Sequence, residues 1–353
     1  MTDDIRTKLA SSEAAESLRM EYFVASCFHK HKWPAQQGVY YKDPETGKER
    51  EIDVLSHHAL LRPQRYRGTG GPKINISILC ECKSLSGHNL VLLRGNPDPL
   101  FERHVRNHWS GEEQHIRELV AVIGQTPYYS QLSKKELYSY YGKRAYPEGR
   151  GIAYQLRLRP PPVALVANAF RETKGGQVRG KELDDQGTAS PLWSAIRSVL
   201  SATRAAENRF LAAMRSNISD RNPHTYDVQE LVENDAFFFD AELVRAGCFH
   251  SVIFCKSKLF SLEETEITDV QSARLFIRNL DLDSRYVDIV NFDAAEAYID
   301  RMISHFEKAS SNAIRKTWDT LESLNWEPGQ AFAELGKATG APLKRIRRTK
   351  SSK

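Results

Sequence analysis

The sequence predicts an α/β fold in which a mixed central sheet is flanked by helices. Two observations support this class. Near the N-terminus, apolar residues recur at the three-and-four spacing of a buried helical face, and short runs rich in β-branched and aromatic residues come after them, bounded by turn residues. With 353 residues, of which 41% are hydrophobic, the chain can form one large domain or two smaller ones.

The first predicted element is a helix that begins after a cap at Ser11 or Ser12 and runs to about Lys32. Its apolar face consists of Met20, Phe23, Val24, Cys27 and Phe28. Glu21 lies in line with Val24 and Phe28, because residues three and seven positions apart share one side of a helix. The sequence therefore places a carboxylate beside a buried face.

A β-hairpin is predicted next. The segments QQGVYYK and EREIDVLSH read as strands, and DPETGK between them contains Asp-Pro and Gly, which favour a turn. A third strand is predicted over INISILCECK. The loop that leads into it is rich in glycine and carries Arg65 and Arg67.

The second half of the sequence also alternates between helices and strands. Strands are predicted over VALVANAF, SVIFCKSKLF, RLFIRN and YVDIVNF, and helices over 189–214 and 294–318, the second capped by Asp293. The predicted organisation is a core over 11–160 with an insertion at about 95–150, an α/β C-terminal part over 161–340 and a basic tail over 341–353. The C-terminal part either extends the central sheet or forms a second lobe.

Composition indicates the class of partner and the cellular compartment to expect for the protein. The net charge of +5 is compatible with a polyanionic partner without requiring one. The five cysteines show no disulfide framework or zinc spacing, the N-terminus does not resemble a secretory signal, and no apolar run reaches the ~18 residues of a membrane span. We expect a reduced, cytoplasmic protein that does not associate with membranes.

The stretch ILCECKSL places two opposite charges at the end of an apolar strand. Side chains alternate along a strand, so Glu81 and Lys83 are predicted to share one face while Cys80 and Cys82 take the other. The same alternation predicts that Glu49, Glu51 and Asp53 share a face, with Ile52 and Val54 on the opposite one. If the two strands pair, Asp53, Glu81 and Lys83 converge at one edge, beside Glu21 of the first helix.

Such a group is typical of a divalent-metal site. Two neighbouring carboxylates repel each other, and a cation between them allows both to stay ionised. Mg²⁺ or Mn²⁺ fits oxygen ligands of this kind, and the expected ligands are Asp53, Glu81 and the backbone carbonyl of Cys82. Lys83 is then suited to orient or deprotonate a water molecule and to stabilise charge on a phosphate oxygen.

These residues resemble the PD-(D/E)XK nuclease superfamily, whose restriction-endonuclease-like core is shared by Mrr-type enzymes and Holliday-junction resolvases. In this resemblance, which covers about residues 11 to 90, Asp53 matches the first metal-binding Asp, Glu81 the second acidic ligand and Lys83 the catalytic Lys. Glu21 matches a Glu that many members carry on the first helix. Ile52 stands where the motif has its proline.

The resemblance implies Mg²⁺- or Mn²⁺-dependent hydrolysis of DNA, with RNA as the alternative substrate, in a bacterial defence or DNA-processing system. It also implies a homodimer where both strands of a duplex are cut, and a separate motor or sensor protein as a partner. The residues expected to contact phosphates are Arg65, Arg67, Lys344, Arg345, Arg347 and Arg348. The rival hypothesis is a catalytically silent nucleic-acid-binding or scaffold subunit that keeps the nuclease fold.

Overall fold

The computed structural model describes residues 12–61, 73–85, 87–95, 158–174, 177–178, 190–219, 245–277 and 285–323. The insertion predicted at about 95–150 lies outside these ranges apart from its first residue, and so does the basic tail over 341–353. The six residues expected to contact phosphates, from Arg65 to Arg348, also lie outside them.

The first helix, α1, spans Glu13–Lys30. Ser12 is its N-cap, and the Ser12 hydroxyl accepts a hydrogen bond from the backbone N–H of Ala15. This satisfies one of the amide groups that a helix start leaves without a partner. Val24 and Phe28 on its inner face are fully buried, and each contributes about 1.5–3 kcal/mol of burial free energy.

Eleven strands within the described residues form one mixed sheet. They are β1 (Ala35–Lys42), β2 (Glu49–Leu61), β3 (Lys73–Lys83), β4 (His88–Arg94), β5 (Leu165–Lys174), β6 (Gln177–Val178), β7 (Arg245–Cys255), β8 (Lys258–Glu263), β9 (Glu266–Val270), β10 (Ser272–Ile277) and β11 (Arg285–Asn291). Their spatial order is β1-β2-β3-β7-β11-β10-β5-β4-β8-β9, with β6 beside β5.

The sheet crosses the boundary predicted at residue 160. Strands β1, β2 and β3 are antiparallel neighbours, and β7 pairs with β3 in parallel from Lys73↔Arg245 to Lys83↔Cys255. Strand β11 lies parallel to β7 on its other side. The described strands of the C-terminal part therefore extend the central sheet, which was the first of the two alternatives.

Helices cover both faces of the sheet. Helix α1 and helix α3 (Ala295–Ser323) pack on one face, against Ile74, Ile76, Ile78, Cys80 and Cys82 of β3. Helix α2 (Pro191–Ser219) packs on the other face, with Ile196 and Val199 against Leu79. Helices α1 and α2 thus approach the end of β3 from opposite sides. None of the helices that the structure describes is long and apolar enough to cross a membrane.

Several elements differ from the prediction. Strands β4 and β9 were not predicted, and the run SVIFCKSKLF is divided between β7 and β8, which Lys256 and Ser257 separate. Asp293 lies in a 3-10 helix, Phe292–Ala294, whose cap is Asn291 because the Asn291 side chain accepts from the Asp293 N–H. The assignment of Asp293 as the cap was wrong for that reason.

A buried ionic cluster joins β10, β11 and α3. Arg274 donates to both carboxylate oxygens of Asp288 at 2.7 Å, and the Tyr298 hydroxyl donates to Oδ2 of Asp288 at 2.6 Å. The side chain of His250 lies within 3.3 Å of the same oxygen. Arg274 and His250 hold the pKa of Asp288 well below its usual range although burial alone would raise it. The cluster ties α3 to the sheet.

Candidate active site

The strand that carries Asp53 is irregular at that residue. Ile52 packs in the hydrophobic core between the sheet and α2, whereas Val54 packs in the core on the other face, between the sheet and helices α1 and α3. The prediction that Ile52 and Val54 share one face was therefore wrong. On the adjacent strand, Gly38 lies between the pairs Gln37↔Val54 and Val39↔Ile52 and has a φ of +58°, in the left-handed region. The regular alternation is interrupted on both strands at this level.

Because of this irregularity, the carboxylate of Asp53 lies beside the end of β3. Its Oδ2 accepts a hydrogen bond of 2.7 Å from the backbone N–H of Cys82 and lies 3.4 Å from Nζ of Lys83. The side chain of Cys82 points into the core and is fully buried, as predicted. Asp53 is thus held by one amide donor and one ammonium group.

Glu81 is the most buried carboxylate of the group, with 2% of its surface exposed. Its Oε2 lies 2.6 Å from Nζ of Lys83, and its Oε1 accepts a hydrogen bond of 2.6 Å from the hydroxyl of Ser198 on α2. Burial, with a further contribution from the charge of Asp53, raises the pKa of Glu81 to about 7. Asp53 and Glu81 therefore cannot both be ionised at a low cost in free energy unless a cation lies nearby.

Lys83 supplies positive charge between the two acids. Burial alone would lower the pKa of Lys83, but Glu81 and Asp53 outweigh burial and raise it above its ordinary value. The side chain is therefore an ammonium ion at neutral pH, with donors directed at both carboxylates. In this state Lys83 can donate hydrogen bonds to developing negative charge, but it does not accept a proton.

Glu21 lies on α1 at the edge of the same group. It is 8% exposed, and burial and then the charge of Asp53 raise its pKa, while Lys83 lowers it. The Ser17 hydroxyl lies 3.3 Å from Oε1 of Glu21 and 3.2 Å from the carbonyl oxygen of Cys82, so its single proton serves one of them at a time. The carbonyl expected to bind a metal therefore has a competing donor in Ser17.

The acidic side chains of the group offer a small donor set for a divalent cation. Among the described residues, no group of three or more His, Cys, Asp or Glu side chains is arranged to hold a metal ion. Mg²⁺ commonly uses only one or two protein carboxylates and completes its coordination with water and phosphate oxygens. Asp53 and Glu81 fit that requirement chemically, since their mutual repulsion contributes to the raised pKa of Glu81.

A second charged group borders the first at the ends of β3 and β7. Glu16 of α1 forms an ion pair with Lys256 and accepts a hydrogen bond of 2.8 Å from the Ser84 hydroxyl. The backbone N–H of Lys256 donates to the carbonyl of Lys83 at 3.0 Å. This group links α1 to the sheet beside the candidate site.

Sequence reasoning missed Ser198, Ser17 and Lys256 as neighbours of the acidic pair. Ser198 is 117 residues from Glu81, and no spacing rule connects a serine in one helix with a carboxylate in a distant strand. Only the packing of α2 on the sheet brings them together. Glu16, in contrast, carried a detectable signal because it borders the apolar face of α1.

The sequence matches no protein-family model, and comparisons with curated proteins and with solved structures gave no match.

Proposed function

We propose that this protein is a metal-dependent nuclease that hydrolyses phosphodiester bonds in DNA, with Asp53, Glu81 and Lys83 in its active site. The observation that carries the proposal is the position of Nζ of Lys83 at the end of β3, 2.6 Å from Glu81 and 3.4 Å from Asp53 of the neighbouring strand β2. The resemblance of the same residues to the PD-(D/E)XK motif supports it.

The chain order around the site also supports the proposal. Helix α1 precedes three antiparallel strands, and α2 comes before β7 in the chain, where β7 lies parallel to the strand that carries Glu81 and Lys83. The mixed sheet with helices on both faces agrees with the fold that the resemblance implies. The ends of parallel strands β3 and β7 meet at the candidate site, where α/β proteins commonly bind ligands.

Each residue has a role that derives from its contacts. Asp53 and Glu81 would hold the Mg²⁺ or Mn²⁺ ion, which, when bound, supplies Lewis-acid polarisation of the phosphate and lowers the pKa of water. Lys83, an ammonium ion, donates hydrogen bonds to negative charge that develops on the phosphate oxygens. Glu21, whose pKa is raised, is suited to accept a proton from the attacking water.

One observation favours the rival hypothesis of a silent nucleic-acid-binding or scaffold subunit. Lys83 already contacts both carboxylates, and its single positive charge offsets part of their repulsion without a metal ion. The proposed nuclease requires Asp53 and Glu81 to hold a metal ion and the silent subunit does not, so metal binding distinguishes the two hypotheses.

The decisive experiment is incubation of the purified protein with supercoiled plasmid DNA and with RNA, in Mg²⁺, in Mn²⁺ and in EDTA. We expect metal-dependent cleavage of DNA that EDTA abolishes and that Asp53→Ala and Glu81→Ala both lose. Lys258→Ala, at an exposed position of β8, is a matched control that should cut at the wild-type rate. Retained DNA binding without cleavage in either metal would favour the silent subunit.

A further inference from the structure

Both oxygens of the Glu81 carboxylate are engaged by different elements. Lys83, on the same strand, contacts Oε2, and the Ser198 hydroxyl donates to Oε1 at 2.6 Å. A hydrogen bond to an ionised acceptor is roughly twice as strong as one between neutral groups. The serine therefore fixes the rotation of a carboxylate that a single contact would leave free to turn.

Ser198 is held at this position by the packing of its helix. Ile196 and Val199 are fully buried against the sheet on either side of it in sequence, so α2 cannot slide without opening that core. A second contact braces the same turn, because the Tyr41 hydroxyl donates to the Ser198 carbonyl at 3.1 Å. Tyr41 comes from β1 and is itself buried.

We propose that Ser198 is a positioning residue for Glu81: it holds Oε1 so that Oε2 faces Lys83, the orientation in which Glu81 would hold the metal ion of the proposed nuclease. This inference rests on the proposed function. Groups that hydrogen-bond a ligating carboxylate set its orientation, and their loss typically costs about 10–100-fold in metal affinity or activity. Ser198 would act through Glu81 and not on the substrate.

The alternative is that the hydroxyl only joins α2 to the sheet. The two explanations differ in what the mutation changes. A hydrogen bond that only joins helix α2 to the sheet contributes to the thermal midpoint of unfolding. A positioning residue also sets the affinity of the protein for the metal ion. The test must therefore measure metal affinity and folding separately.

The experiment compares the wild type with Ser198→Ala, Ser198→Thr and Ser201→Ala. Isothermal titration with Mn²⁺ measures affinity, cleavage of plasmid DNA at rising Mg²⁺ concentration measures kcat and the metal requirement, and circular dichroism measures folding. Ser201 is the matched control, since its buried hydroxyl on the same helix has no hydrogen-bond partner. We expect Ser198→Ala to weaken metal binding by about 10–100-fold, Ser198→Thr to restore most of it and Ser201→Ala to match the wild type.

A double variant shows whether Ser198 acts through the carboxylate. In the Glu81→Gln background, Ser198→Ala should weaken Mn²⁺ binding no further, because the group that it positions is gone. Wild-type affinity in folded Ser198→Ala, together with weakened binding in Glu81→Gln, would overturn this inference alone. A wild-type protein that neither binds metal nor cuts nucleic acid would overturn the proposed function, and this inference with it.

Discussion

Nζ of Lys83 lies 2.6 Å from Oε2 of Glu81, two residues earlier on the same strand. The strand's alternation places the two side chains on one face, and the contact neutralises a carboxylate that has only 2% of its surface exposed. In the proposed nuclease this pair contributes to both catalysis and folding, so its loss should be visible in both.

The first prediction concerns Lys83→Ala. It should abolish cleavage while DNA affinity stays close to that of the wild type, since the proposed role of Lys83 is in the chemical step. It should also lower the free energy of unfolding at pH 8 by about 1–2 kcal/mol, because Glu81 loses its buried partner and Lys83 is partly exposed. Cleavage assays, DNA-binding titrations and urea unfolding check the three parts, and a wild-type cleavage rate would refute the role.

Glu81 is buried in the structure, so the loss of its partner should cost stability as well as activity. Alternation alone indicated that Glu81 and Lys83 share a face, and the apolar run before them indicated a buried strand. Strand alternation could not reveal the break at Asp53, because it depends on Gly38 of the neighbouring strand. The sequence could not reveal the buried cluster at Asp288 either, because its partners Arg274 and His250 come from other strands.

The second prediction concerns the pKa of Glu81, which is about 7 in the folded protein against 4.5 as the ordinary value. Between these values the folded state binds a proton that the unfolded state has released. The free energy of unfolding should therefore fall as pH rises from about 4.5 to about 7, by roughly 1–3 kcal/mol. Urea unfolding in EDTA at pH 5 to 8 measures this slope.

The control for this slope is Glu81→Gln, which carries no titrating proton at that position. Its unfolding free energy should change less over the same range, and the difference between the two proteins isolates Glu81. That subtraction is needed because burial lowers the pKa of His250, so that residue contributes a slope of the opposite sign below pH 6.5. Equal slopes in both proteins would mean that Glu81 does not titrate in this window.

The third prediction concerns the buried cluster around Asp288. Asp288→Asn leaves the charge of Arg274 buried without its carboxylate, so it should lower the free energy of unfolding by about 3–5 kcal/mol. The pair Lys30 and Glu296 is about half exposed, and Lys30→Ala should cost far less, because water screens this ion pair. Denaturant unfolding of both variants at pH 7 gives the comparison, and similar losses would contradict the assigned difference in burial.

The fourth prediction separates the shape of the hairpin from its stability. Gly38 has a φ of +58°, and a Cβ atom there would lie 2.9 Å from Oε1 of Glu51. Gly47, in the hairpin turn, has a φ of +68° but its Cβ would meet only ordinary contacts. Alanine at either position should lower the free energy of unfolding by about 1–2 kcal/mol, because both residues have a left-handed backbone conformation.

Only Gly38→Ala should also slow cleavage at saturating Mg²⁺ and DNA, since Gly38 lies beside the irregularity that places Asp53 near Lys83. If the two variants lose stability equally and both cut at the wild-type rate, then the position of Asp53 does not depend on this feature of β1.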